Sequence, residues 1–164
     1  MASILQRSSR GDGLLAGVVI AAAVIGIAGF GGVATDTDSA WYQGLDRPAW
    51  QPPGWVFGPV WTALYAMLAV SAWLAWRDVD GPDRTAILGL YAANGALNLG
   101  WTWIFFQAQA PVAAGVEIVA LLGTIVALIR LTWPHNRAAA LLLVPYAAWV
   151  AFATALTWRI AAAN

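Results

Sequence analysis

Charged side chains divide the chain into long apolar stretches. Every residue from Gly13 to Thr35 is uncharged. A helix needs about 20 apolar residues to cross a bilayer, so a first span is expected over residues 14–33. A second stretch lies between Arg47 and Arg77, after the Pro-rich run Arg47-Pro48-Ala49-Trp50-Gln51-Pro52-Pro53, and predicts a helix over 55–76. A third follows Arg84 and predicts a helix over 85–106. Pro111 suits the first position of a fourth helix, 111–133, because its missing N–H would be unpaired there anyway. A fifth is expected over 136–160. The pattern therefore predicts an all-α integral membrane protein. It is a five-transmembrane-helix bundle in one domain, 13–164, after an N-terminal tail, 1–12. Arg7 and Arg10 precede the first span as they would a secretory signal. A signal's apolar core is roughly 7–15 residues, shorter than this stretch, which therefore reads as a retained helix.

Helix ends alternate between the two sides of the membrane. One side collects Arg7, Arg10, Arg77, Arg84, Arg130 and Arg137; the other holds Arg47 and Arg159. Arginine concentrates on the cytoplasmic side. The expected topology is a cytoplasmic N-terminus in a multi-pass protein of a prokaryotic cell membrane. The first loop, with Asp36, Asp38 and Asp46, then faces outward.

Composition agrees with a bilayer as solvent. Hydrophobic residues make up 61% and charged residues 10% of the 164, against roughly 45–50% and 25% in soluble domains. Mean hydropathy is +0.69. The formal net charge is zero, which argues against a nucleic-acid partner. The chain lacks cysteine, so disulfides, thiolate metal sites and a Cys nucleophile are excluded. All 8 basic residues are Arg, so a lysine Schiff base is excluded as well. His135 is the only histidine, and a bis-histidine haem needs two. No metal site or bound cofactor is expected.

Eleven tryptophans stand out. Trp41, Trp76, Trp133 and Trp158 suit interfacial belts. Trp61, Trp101 and Trp149 lie inside apolar segments beside polar or aromatic neighbours. Tyr91, Asn94, Asn98, Trp101 and Phe105 follow three- and four-residue steps and share one helical face. Tyr146, Trp149 and Ala153 form a similar stripe, and Trp61 and Tyr65 are four apart. Two readings stay open. The amides and hydroxyls can join helices by bonding one another, or they can anchor a ligand in a cavity lined by aromatic faces. Glu117 is an acid inside the fourth segment. It is either functional, as intramembrane carboxylates commonly are, or near enough to the interface to reach water. Small residues at four-residue spacing, Gly13 with Gly17 and Gly89, Ala93, Ala92, Ala96 and Gly100 in segment three, imply close helix approach within the bundle or in a homodimer.

Three stretches carry a family resemblance. The first is Trp41-Tyr42-x-x-Leu45-x-Arg47-Pro48-x-Trp50-x-Pro52-Pro53-x-Trp55-Val56-Phe57-x-Pro59-Val60-Trp61-Thr62-x-Leu64-Tyr65. The others are Asn94-x-x-Leu97-Asn98-x-x-Trp101-x-x-x-Phe105-Phe106 and Leu143-Val144-Pro145-Tyr146-x-x-Trp149-x-x-Phe152-Ala153-x-x-Leu156. Together they resemble the TspO/MBR family of tryptophan-rich sensory and translocator proteins over about residues 14–160. The resemblance implies a five-helix bundle whose ligand cavity is covered by the first loop. It implies porphyrins such as protoporphyrin IX or haem, or related lipophilic compounds, as ligands, in tetrapyrrole transport or stress regulation. It places Trp61, Asn94, Asn98, Trp149 and Ala153 at the pocket and Pro52 and Pro53 at the lid. With the stripes above, the expected ligand-binding set also takes in Trp50, Tyr65, Trp101, Glu117 and Tyr146. No catalytic residue is expected, unless the light-dependent porphyrin degradation described for some bacterial members occurs, which would use Trp61 and Trp149. A homodimer in contact with membrane lipid is the expected assembly. Where many members have Leu-Asn near the end of helix five this chain has Leu156-Thr157, followed by Trp158-Arg159, so specific sterol binding is not expected. Arg47 replaces the usual lysine and keeps its charge. The rival reading from the residues alone is a proton-coupled small-molecule transporter centred on Glu117.

Overall fold

The computed structural model describes residues 2–164, and for 2–11 it describes the backbone alone. The Arg7 and Arg10 side chains and those of nearly all the expected tail thus lie outside the described residues. Among the described residues every regular element is helical. They are α1 (Ala2–Ala34), α2 (Ala40–Gly44), α3 (Gly54–Asp78), α4 (Gly81–Thr102), α5 (Pro111–Thr132), α6 (Arg137–Leu142) and α7 (Val144–Ala163). A π-turn, Trp103–Gln107, extends α4.

Four stretches are long and apolar enough to cross a bilayer: Asp12–Ala34, Gly54–Asp78, Pro111–Thr132 and Arg137–Ala163. The expected count of five is not met by that measure. The exception is α4, which matches α5 in length but carries Asp83, Arg84, Asn94 and Asn98. The last span is also not one continuous helix. Pro145 has no N–H to donate, and the chain steps from α6 to α7 at Leu143. Ala147 N–H then resumes the ladder on the Leu143 carbonyl at 2.9 Å.

The centre of the bundle is α5. Ala114, Ile118, Leu121, Ile125, Leu128 and Thr132 recur at three- and four-residue steps and are all buried, the single inward face that this spacing dictates. Ile118, Leu121, Ile125 and Leu128 cluster with Leu64 and Leu68 of α3, Ile87 of α4, and Tyr146 and Val150 of α7, and Ala114 with Phe105 and with Leu156 and Ile160 of α7. Helix α1 is peripheral: none of its apolar window is buried. Its Gly13 and Gly17 serve contact within the chain. The Trp73 ring lies 3.4 Å from where a Gly17 Cβ would be, and its Nε1 donates to the Gly13 carbonyl at 3.2 Å. Gly115 likewise admits Trp158, whose ring atoms would stand 3.0–3.2 Å from a Cβ there.

Polar groups gather at the two ends. At one, Arg77 pairs with Asp78 at 2.5 Å, Arg84 pairs with Asp80 and His135 approaches Asp83 at 3.8 Å. At the other, the connection between α1 and α3 folds over the bundle as a lid. Ser39 caps α2 by accepting from Tyr42 N–H at 3.3 Å.

Candidate functional site

Beneath the lid lies a cavity of about 650 Å³, within the roughly 300–1,000 Å³ of small-molecule sites. Helix α3 contributes Phe57, Trp61 and Tyr65; α4 contributes Asn98, Trp101 and Thr102; α7 contributes Trp149, Ala153 and Leu156. The α3 and α7 sets repeat every three or four residues, and in α4 Trp101 and Thr102 stand three and four residues from Asn98, which is how one helix presents a continuous wall. The π-turn adds Phe105 and Phe106. Its wider i→i+5 bonding, Ala108 N–H to the Trp103 carbonyl at 2.9 Å, is a geometry often found at functional sites. The rings support one another. Trp101 stacks on Phe105 at 5.2 Å, Trp61 tilts over Tyr65 at 5.3 Å, and Phe57 meets Trp149 edge-on at 5.8 Å. These are favourable aromatic geometries, and they leave aromatic surfaces along the space.

The polar stripe of α4 forms a directed hydrogen-bond chain running from the cavity into the core. Tyr65 Oη donates to Asn98 Oδ1 at 2.7 Å, and Asn98 Nδ2 donates to Tyr146 Oη at 3.1 Å. Tyr146 donates to Asn94 Oδ1 at 3.2 Å, and Asn94 Nδ2 donates to Thr124 Oγ1 at 2.8 Å. Thr124 ends the chain on the Leu121 carbonyl at 2.7 Å. Four helices are joined this way. Tyr91, on the same stripe, turns instead to Ser71 at 2.6 Å.

The mouth is polar. Tyr42, Gln43, Arg47 and Gln51 line it with Asp38 and Thr37. The Arg47 guanidinium rests 4.9 Å from the Tyr42 ring centre, and Gln51 Nε2 donates to the Tyr42 hydroxyl at 3.0 Å. Two buried polar atoms on the lining residues have no partner among the described residues, the acceptor Gln51 Oε1 and the donor Trp101 Nε1. Buried polar groups are normally paired, so both are free to meet a polar atom of an occupant.

The structure thus brings six of the expected residues to one cavity: Trp61, Tyr65, Asn98, Trp101, Trp149 and Ala153. Asn94 and Tyr146 stand behind the wall, in the hydrogen-bond chain. Pro52 and Pro53 line a shallow outer depression with Arg47 and Gln51. Trp50 lies outside, 51% exposed, its ring edge-on to Phe152 at 5.6 Å. Glu117 is not on the cavity wall, although Ile118 and Leu121 beside it are. Both of its carboxyl oxygens are buried without a hydrogen-bond partner among the described residues. Sequence reasoning did not pick out Gln51, Phe57, Thr102 or Phe106. Phe57 was accessible, being four residues before Trp61 on the same face. Phe106 was not, because an α-helical register turns it away from Phe105.

A helical membrane protein enclosing an aromatic, polar-mouthed cavity is the class that fold and site define. The chain matches the TspO/MBR family over residues 18–163. It is 40% identical to the human translocator protein over 122 residues, 73% of this chain and 72% of the relative. It is 35% identical to tryptophan-rich protein TspO of Archaeoglobus fulgidus over 142 residues, 87% and 91% of the two chains. Protein CrtK of Rhodobacter capsulatus is 35% identical over 129 residues, 74% and 78%. The chain belongs to the TspO/MBR family.

Proposed function

We propose that the protein is a membrane receptor or carrier for tetrapyrroles such as protoporphyrin IX, held in the aromatic cavity. The observation that carries this reading is the wall itself. Trp61, Trp101 and Trp149 surround one space whose mouth presents Arg47. A porphyrin is a broad flat aromatic with two carboxylates. Indole faces suit its plane, a guanidinium suits a carboxylate, and the partnerless Trp101 and Gln51 atoms suit its polar edge. In the same reading α4 spans the bilayer as the fifth helix, its polar stripe hidden in the bundle. The N-terminus is then cytoplasmic, the lid faces outward, and the chain works as a homodimer.

The sole histidine stands at the end of the bundle opposite the lid, beside Asp83. Histidine ligation of a haem iron in the cavity has no part in this reading, in which recognition runs through the macrocycle. Titration of the protein in detergent is expected to give metal-free protoporphyrin IX and haem affinities within about tenfold, or 1.4 kcal/mol. A six-coordinate low-spin haem spectrum that disappears in His135→Ala would contradict this.

A further inference from the structure

We infer that the cavity opens sideways into the bilayer between α1 and α3, and that apolar ligands reach it from the lipid and not through the lid. The tetrapyrrole reading supplies the cargo; the aperture stands on geometry alone.

Among the residues of the long helices that line the cavity, solvent exposure is confined to α1 and α3, while the short lid helix α2 adds the exposed Gln43 at the mouth. Gly32 on α1 and Gly54, Gly58 and Thr62 on α3 line the space and are exposed, whereas the lining residues of α4, α5 and α7 are buried or half-buried. The strip descends well below the lid. Gly58 and Thr62 lie four and eight residues into α3, or about 6 and 12 Å at 1.5 Å per residue. The adjoining α1 surface is strongly apolar, with Ile25 70%, Phe30 64% and Val33 83% exposed. Such a surface belongs against hydrocarbon.

The glycines of this strip have no packing reason to be glycine. A Cβ at Gly95 would come within 2.6 Å of Ile27, and one at Gly115 within 3.0 Å of Trp158. At Gly32, Gly54 and Gly58 a Cβ would meet nothing within 4 Å, as also at Gly26, Gly29, Gly89, Gly100 and Gly123 elsewhere in the helices, and none of the three has a positive φ; what sets the three apart is that they line the cavity. Glycine inside a helix costs about 1 kcal/mol relative to alanine. At Gly32 and Gly58 the missing side chain leaves the edge of the cavity uncovered. Thr62 turns its hydroxyl back onto the Gly58 carbonyl at 2.9 Å, so the polar atom at the edge is already satisfied.

The lid, by contrast, is tied down. Asn164 Oδ1 accepts from Asp46 N–H at 3.0 Å, and Arg159 lies 3.9 Å from the Asp46 carboxylate. Gln107 Nε2 also donates to the Ala34 carbonyl at 2.9 Å where α1 gives way to the lid.

The natural chain has no cysteine, so Ala153→Cys places a single reporter thiol on the cavity wall. The protein is reconstituted in phosphatidylcholine nanodiscs and labelled with either an alkyl maleimide that partitions into lipid or a sulfonated maleimide that stays in water. The alkyl reagent is expected to label Cys-bearing protein readily. The added pair Gly32→Leu and Gly58→Leu, for which there is open space, should slow it at least tenfold. Asn164→Ala, which loosens the lid, should leave the rate unchanged. No labelling by the alkyl reagent, slowing by less than threefold in the leucine pair, or faster labelling by the sulfonated reagent would each overturn the lateral aperture. Protoporphyrin titration of the natural chain is a separate arm. Its failure would reject the cargo and leave the aperture result intact.

Discussion

Trp61→Ala and Trp149→Ala are each expected to weaken protoporphyrin IX binding at least tenfold, about 1.4 kcal/mol. Both rings line the cavity from different helices. Removing either takes away a stacking plane and leaves a void that its neighbours fill only in part. Those neighbours are Tyr65 and Tyr146 for Trp61, and Phe57 and Phe152 for Trp149. Phenylalanine at either position keeps much of the apolar volume, so the loss there should be only a few-fold. Trp76→Ala and Trp133→Ala are the controls. Trp76 sits under Arg84 at the far end of α3, and Trp133 is 42% exposed beneath Arg137. Neither lines the cavity, and neither change should alter affinity. Equilibrium titration of variants that retain native helical signal checks the series. Equal affinities throughout would reject an aromatic ligand site at these positions.

The largest effect on stability is expected from Tyr146→Phe, which removes one oxygen and almost no volume. That oxygen is the middle link of the hydrogen-bond chain. Without it Asn98 Nδ2 loses its acceptor and Asn94 Oδ1 loses its donor. Leaving a buried polar group unpaired costs about 1–3 kcal/mol, whereas polar pairs in membrane bundles average about 0.6 kcal/mol. With two groups orphaned, about 2 kcal/mol is expected. Tyr65→Phe deprives only Asn98 Oδ1, an atom of a cavity-lining residue, and should cost under about 1 kcal/mol. Reversible unfolding in mixed micelles measures both. Equal costs would mean that the chain does not act as a connected unit.

Much of this arrangement is legible in the sequence because helical periodicity survives in any solvent. Trp61 with Tyr65 and Trp149 with Ala153 lie on two cavity walls, while Tyr146 of the latter stripe stands behind its wall, and the α4 stripe turns its amides inward. What periodicity does not resolve is how one stripe divides its work. Tyr91 meets Ser71, Asn94 meets Thr124, and Trp101 reaches the cavity with a buried N–H that has no partner among the described residues. Those outcomes depend on which neighbour stands opposite, a tertiary fact. The π-turn that adds Phe106 to Phe105 has no sequence signature. The break before Pro145 was readable from the proline but is overshadowed by the apolar run around it. The Gly13–Gly17 pair illustrates a pattern with several structural solutions: close approach was expected, and the approaching group proved to be the Trp73 side chain. Glu117 marks the opposite limit. Its rarity in an apolar helix singles it out, yet it is not among the residues lining the cavity, and its carboxyl has no hydrogen-bond partner among the described residues.

The proposed receptor role turns on one occupant in one cavity. The most direct measurement is a protoporphyrin IX titration of the purified chain, followed by quenching of its tryptophan fluorescence in nanodiscs, with empty nanodiscs as reference. The account predicts saturable quenching that reaches its plateau at one porphyrin per chain. Quenching that rises without saturation, in parallel with partition of the porphyrin into empty nanodiscs, would contradict it.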